Sequence, residues 1–408
     1  MAASMVATSS NPVVSPRLAG PGFEEERKRA ENDIGRLTFR LAAQPRDLSD
    51  RVRLLYRMFH RASLTGRMAQ LEEVEKELDT ALREFGPKED LCLLQANLDF
   101  RFHRLHEVRR HLASAPMLSS RVEGRVLLAD LDMQEGRYEL ARAGFEELIA
   151  QHATWDHLAR LAHWHSKLGD FSEADRLYAE AEDDLTAKQM LSYAWLEVQR
   201  GLLAFNRGNY TGAWSHYLRA ESAYPGHWYT AEHIAELLAA EERFDEALEM
   251  LREVVERTEK PELQQALGEM YICAGRENLA QVWLESALTS YLESVRRGDV
   301  HYFHHLADYY AGPGAEPAEA LQWARRDIEL RSNFSTQTTL AWALFLTHQT
   351  EEALEQMRLA LSSGVRDAVV FSTAADLFEA AGDLSSSRRY ASVALEINPM
   401  HRRFRMHH

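Results

Sequence analysis

Between Leu267 and Leu288 the chain reads LGEMYICAGRENLAQVWLESAL, with apolar and small residues at helical spacing on both sides of Gly275. Leu267, Gly268 and Tyr271 precede that glycine, and Ala280, Leu284 and Ala287 follow it. The pattern predicts two amphipathic helices joined by a tight turn, with Gly275 supplying the backbone conformation that ends the first. The frame recurs along the chain. Gly136 is followed by Ala141 and Phe145, Gly169 by Ala174, Tyr178 and Ala181, and Gly208 by Ala213, Tyr217, Ala220 and Pro225. Glu242 and His348 stand where other units have glycine, yet Ala247 with Leu251, and Ala353 with Ala360, keep the phase. Gly382 leads to Tyr390, Ala394 and Pro399.

Markers at 136, 169, 208, 242, 275, 315, 348 and 382 lie 33, 39, 34, 33, 40, 33 and 34 residues apart. A period near 34 built from two helices resembles the tetratricopeptide repeat (TPR) family, and the chain also looks like bacterial TPR arrays of unassigned function. Residue types fit that reading physically. A small residue such as Gly268 or Ala129 on the first helix, and Ala280 on the second, lets the two helices cross closely. Tyr271 and Leu284 fill the space between them, and Pro225 and Pro399 stop the second helix. Each pair leaves an apolar stripe that only stacking on neighbours buries.

The expected fold is all-α: a right-handed superhelical solenoid of about ten TPR-like helix pairs with an N-terminal capping helix. Expected segments are a flexible tail over 1–22, the cap over 23–50, degenerate pairs over 51–121, the main array over 122–400 and a tail over 401–408. Charged stretches GFEEERKRAEND and MHRRFRMHH suit the solvated ends of an array. The two long intervals are attributed to a glycine- and proline-rich turn in YYAGPGAEPAEA, and to a longer connection or extended first helix in EDDLTAKQMLSYAW.

A net charge of −16 argues against nucleic acid and anionic membrane surfaces as partners. No run of apolar residues approaches a membrane span, and the first residues lack a secretory pattern. Cys92 and Cys273 form no CxxC motif. A cytoplasmic bacterial protein is the resulting expectation.

Catalytic signatures are missing from the sequence: it contains no GxxxxGK[ST], no HExxH and no GxSxG. No enzyme activity and no cofactor are therefore expected. In RGDVHYFHHLADYY, a helix would put His301, His305 and Asp308 on one face, a set suited to zinc, copper or nickel but without a visible fourth ligand. The resemblance implies a broader surface, the concave groove lined by the first helix of each pair. Carried onto this chain it comprises Asp130, His163, Trp195, Tyr229, Glu232, Glu236, Glu262, Gln265, Glu269, Tyr302, Tyr309 and Trp342. Acids beside aromatics there would suit a protein or peptide segment with basic and apolar side chains. The expected function is thus a non-catalytic scaffold or adaptor. A metal-handling accessory protein using the His301 region is the alternative, and an enzyme with an unrecognised groove site the third reading.

Overall fold

The computed structural model describes residues 22–114 and 116–406, so the tail expected over 1–22 falls, apart from Gly22, outside the described residues. Among the described residues there are twenty-two α-helices and no strand. A capping helix α1 (Phe23–Ala43) is followed by pairs α2 (Leu48–Thr65) with α3 (Met68–Phe85), and α4 (Glu89–Arg101) with α5 (Leu105–Ser114). After the short α6 (Pro116–Ser120) come α7 (Val122–Gln134) with α8 (Tyr138–Gln151), and α9 (Trp155–Leu168) with α10 (Phe171–Asp183). The middle holds α11 (Met190–Asn206) with α12 (Tyr210–Ala223), α13 (Trp228–Ala240) with α14 (Phe244–Thr258), and α15 (Pro261–Cys273) with α16 (Glu277–Arg296). The last pairs are α17 (Phe303–Ala311) with α18 (Pro317–Leu330), α19 (Phe334–Leu346) with α20 (Thr350–Ser362), and α21 (Ala368–Ala380) with α22 (Leu384–Ile397). Ten pairs and a cap make the expected solenoid.

All eight markers read from the sequence have a left-handed backbone. Glu242, Ala315 and His348 adopt φ of 64°, 47° and 62°, beside glycines such as Gly136 at 77°. The residue after the glycine often completes the turn. Asp170, Asn209 and Asp383 accept the backbone N–H three residues on, at 3.2, 3.0 and 3.0 Å, and so start each second helix. At the crossings the small residues are needed for space. A Cβ on Gly268 would sit 2.7 Å from Leu284, and one on Gly201 would sit 2.2 Å from the fully buried Tyr217 ring. Ala213 and Ala280 are buried opposite them. The long interval before 315 comes mainly from α16, which runs for 20 residues, as well as from the turn at 312–316.

Successive turns of the superhelix stack on one another, which no local pattern predicts. Asn333 Nδ2 donates to the Gln134 carbonyl at 2.8 Å, and the Phe334 N–H donates to Tyr138 Oη at 3.0 Å. Tyr224 Oη donates to Glu26 at 2.7 Å, Trp228 Nε1 to the Leu64 carbonyl at 3.0 Å, and the Arg366 N–H to the Lys167 carbonyl at 3.3 Å. The first three pairs are separated by 199, 196 and 198 residues, close to six intervals of 33. About six repeats therefore complete one superhelical turn, and the chain makes nearly two.

This seam sorts the turn residues. A Cβ on Gly136 would lie 2.3 Å from the Ser332 carbonyl oxygen, and one on Gly169 would lie 2.3 Å from Arg366 Cβ. At Gly275 and Gly382, beyond the seam, a Cβ would meet open space. Side chains are also carried at 242, 315 and 348 in the same left-handed conformation, and Glu242 there meets Arg403 of the C-terminal segment. His103, with φ 56°, is an exception on the seam, and its ring packs 4.7 Å from that of His301.

Candidate partner-binding surface

Most first helices are covered more fully than the second helices they pair with. Arg160 Nε donates to both carboxylate oxygens of Asp130 at 2.9 Å, and its Nη1 pairs with Asp156. Burial raises the Asp130 pKa, and Arg160 offsets this only in part. His163 is exposed, yet the protein mass around it, with Lys167 and Arg160 close by, lowers its pKa to about 3. Trp195 is half-buried, edge-on to Trp155 with ring centroids 6.4 Å apart.

Lys260 Nζ donates to Glu262 at 2.6 Å. Burial alone would raise the Glu262 pKa, but Lys260, aided by His305, brings it down to about 2. Gln265 is buried, donates to Glu269 at 2.9 Å and accepts from Tyr291 Oη at 3.1 Å. Gln199 donates to Tyr229 Oη at 3.0 Å, and the Tyr229 ring stands edge-on to His233 at 4.6 Å. Trp342 is half-buried with its ring 5.4 Å from that of Phe345.

Several residues expected to face a partner are covered. Glu232 and Glu236 are 4% and 2% exposed, so the acidic strip anticipated through them is not an open surface. Glu236 accepts the Met406 N–H at 2.9 Å. Tyr302 and Tyr309 are packing residues: Tyr302 lies 4.9 Å from Tyr291, and Tyr309 joins Ala280 and Leu284. Basic groups also interleave with the acids. Arg101 is exposed and Lys167 half-buried, and the protein mass around each lowers both pKa values. The surface carried by the first helices is therefore of mixed charge, which the list of acids and aromatics read from the sequence did not anticipate.

The metal set proposed from the sequence is not assembled. His301 lies in the turn before α17, so it does not share a helical face with His305 and Asp308. It packs on His103 instead, while His305 stacks on Tyr291 at 5.8 Å. The acid beside Asp308 is served by His304, whose Nε2 is 3.3 Å from Asp308 and whose Nδ1 is 2.9 Å from Asp327. Burial opposes a charge on His304, but the two carboxylates outweigh it and raise its pKa. Among the described residues no group of three or more His, Cys, Asp or Glu is placed to hold a metal ion.

Among the described residues no helix is long and apolar enough to cross a membrane. No curated protein matches the chain's sequence. A solved structure titled as the APC/C hetero-tetramer Cut9-Hcn1 is similar at 14% identity and a TM-score of 0.45, over 85% of this chain and 74% of that one. Residues 229–260, which span α13 and α14, match the family described as Tetratricopeptide repeat. That matched pair is built like its neighbours, with the same left-handed turn and the same small-residue crossing, so residues 229–260 are a tetratricopeptide repeat within an array of helix pairs built alike.

Proposed function

We propose that the chain is a non-catalytic scaffold that binds a segment of a partner protein along the inner face of its repeats. The observation that carries this reading is the run of first helices whose inward residues are charged or aromatic, not only apolar: Asp130, Arg160, His163, Trp195, Lys260 and Glu262. Packing alone does not call for such residues on that face. Together they suit a partner that offers charges of both signs and an apolar side chain. Repeat proteins of this architecture are interaction modules by fold analogy.

Capture of partners from the native cell by the full chain, followed by direct titration, tests the proposal. Trp195→Ala with Glu269→Lys should weaken a captured partner at least tenfold while helix content stays unchanged. Unchanged affinity for every captured partner would move the binding surface off the inner face.

A further inference from the structure

Residues 398–406 leave α22 and turn back onto α11 and α13, one superhelical turn earlier. They lie there as a bound peptide would. Asn398 Nδ2 donates to the Phe205 carbonyl at 3.4 Å. Arg403 pairs with Glu242, and Arg405 donates to Asn206 with its guanidinium carbon 5.2 Å from the Phe205 ring centroid. Met406 donates its N–H to Glu236 at 2.9 Å and buries its side chain. Phe404 packs against the same central apolar cluster.

These contacts differ from those between repeats. Neighbouring pairs meet helix against helix along an apolar core, whereas this segment has no helix of its own and is held by two acids, an amide side chain and an aromatic face, with Phe404 and Met406 on the apolar cluster. The receiving groups sit at the ends of first helices and their turns: Phe205 and Asn206 close α11, Glu236 is in the last turn of α13, and Glu242 follows it. Arg403 and Glu242 are both exposed, so that pair adds selectivity and little holding strength. A segment held this way can leave without unfolding the helices beneath it. Its presence also explains why Glu236, an acid expected to face a partner, is covered.

We infer that Phe205, Asn206, Glu236 and Glu242 form a recognition site for a non-helical partner segment carrying an arginine, an aromatic residue, a second arginine and a methionine. Residues 400–406 are the resident occupant, which such a partner displaces. The inference rests on the scaffold reading and specifies where, and for which chemistry, that scaffold binds.

The probe is a fluorescent peptide with the sequence of residues 399–406, PMHRRFRM, titrated by anisotropy. Full-length R403E/R405E, whose own segment is repelled by Glu242, should bind it at least tenfold tighter than the unaltered chain. Adding Glu242→Lys should remove that gain. Equal affinity for parent and double variant, or binding to neither, overturns the inference. Should the double variant lose helix content, hydrogen exchange on the unaltered chain decides. Amides of 400–406 should exchange through an opening that leaves α21 and α22 protected; exchange only together with those helices overturns the inference. A captured partner that binds parent and R403E/R405E equally removes this site and leaves the scaffold reading standing. Peptide binding here with no partner captured does the opposite.

Discussion

Replacing Gly136 with alanine separates backbone strain from the closure of the superhelix. Gly136 and Gly382 occupy equivalent turns at φ 77° and 82°, so an added Cβ costs each the same left-handed strain, about 1–2 kcal/mol. Beyond that the two differ. At Gly382 the new methyl meets open space, whereas at Gly136 it lies 2.3 Å from the Ser332 carbonyl oxygen and 3.1 Å from Asn333 Cα. That oxygen belongs to the backbone and cannot rotate away. The seam must either absorb the overlap, at about 1–3 kcal/mol for an overpacked site, or separate locally. Separation gives up the bonds from Asn333 to Gln134 and from Phe334 to Tyr138, each contributing about 1 kcal/mol. The smaller of the two losses wins, so Gly136→Ala should be less stable than Gly382→Ala by about 1–2 kcal/mol. Urea denaturation followed by circular dichroism reads the difference, and faster exchange of the Phe334 amide would show that the seam gave way. Equal destabilisation at the two glycines would refute the packing of one superhelical turn on the next.

Gly201→Ala should destabilise by about 1–3 kcal/mol, because its Cβ would overlap the Tyr217 ring. Gly35→Ala, in the open on α1, should stabilise by about 0.5–1 kcal/mol; the same sign for both in thermal melts would contradict the crossing geometry. Glu262→Gln leaves the half-buried Lys260 without its carboxylate and should cost about 1–3 kcal/mol, with a smaller loss in the Lys260→Met, Glu262→Gln double variant. Burial, reinforced by Arg257, lowers the pKa of His227 to about 4 against the opposing pull of Glu26, so its ring stays neutral in the fold. Below about pH 6.5 the unfolded chain takes up the proton first, and stability is lost as pH falls towards 4, by on the order of 3 kcal/mol from this residue. Melts at pH 7, 5.5 and 4 should show a shallower acid loss in His227→Gln; identical slopes would place His227 in a wetter site.

The helix pairs were legible because each follows from contacts within about forty residues. Gly268 and Gly201 must be small, Ala213 and Ala280 must be buried, and the left-handed turn recurs even where Glu242 or His348 replaces glycine. Closure was not legible, since it is the sum of small rotations from one pair to the next and joins residues nearly 200 positions apart. The covering of Glu236 by Met406 and the enclosure of Tyr302 follow from that sum, not from any repeat's own pattern. The glycines held a hint. At Gly136, Gly169 and Gly208 a Cβ would run into a segment far along the chain, whereas at Gly275 and Gly382 it would meet open space. The His301 set failed for a local reason: the helix starts at Phe303, two residues later than its spacing requires.

Hydrogen exchange at three amides tests the closed, two-turn superhelix most directly. Among the described residues, the N–H of Phe23 and of Phe334, each the first residue of its helix, and that of Arg366 in a connection find their partners across the seam, in Pro225, Tyr138 and Lys167. First-turn amides of an isolated repeat have no acceptor of their own and exchange freely. In the intact chain these three should exchange at least tenfold more slowly than in an unstructured peptide, alongside the helix interiors. Exchange of all three at the unstructured rate, with the helices still protected, would mean an open solenoid.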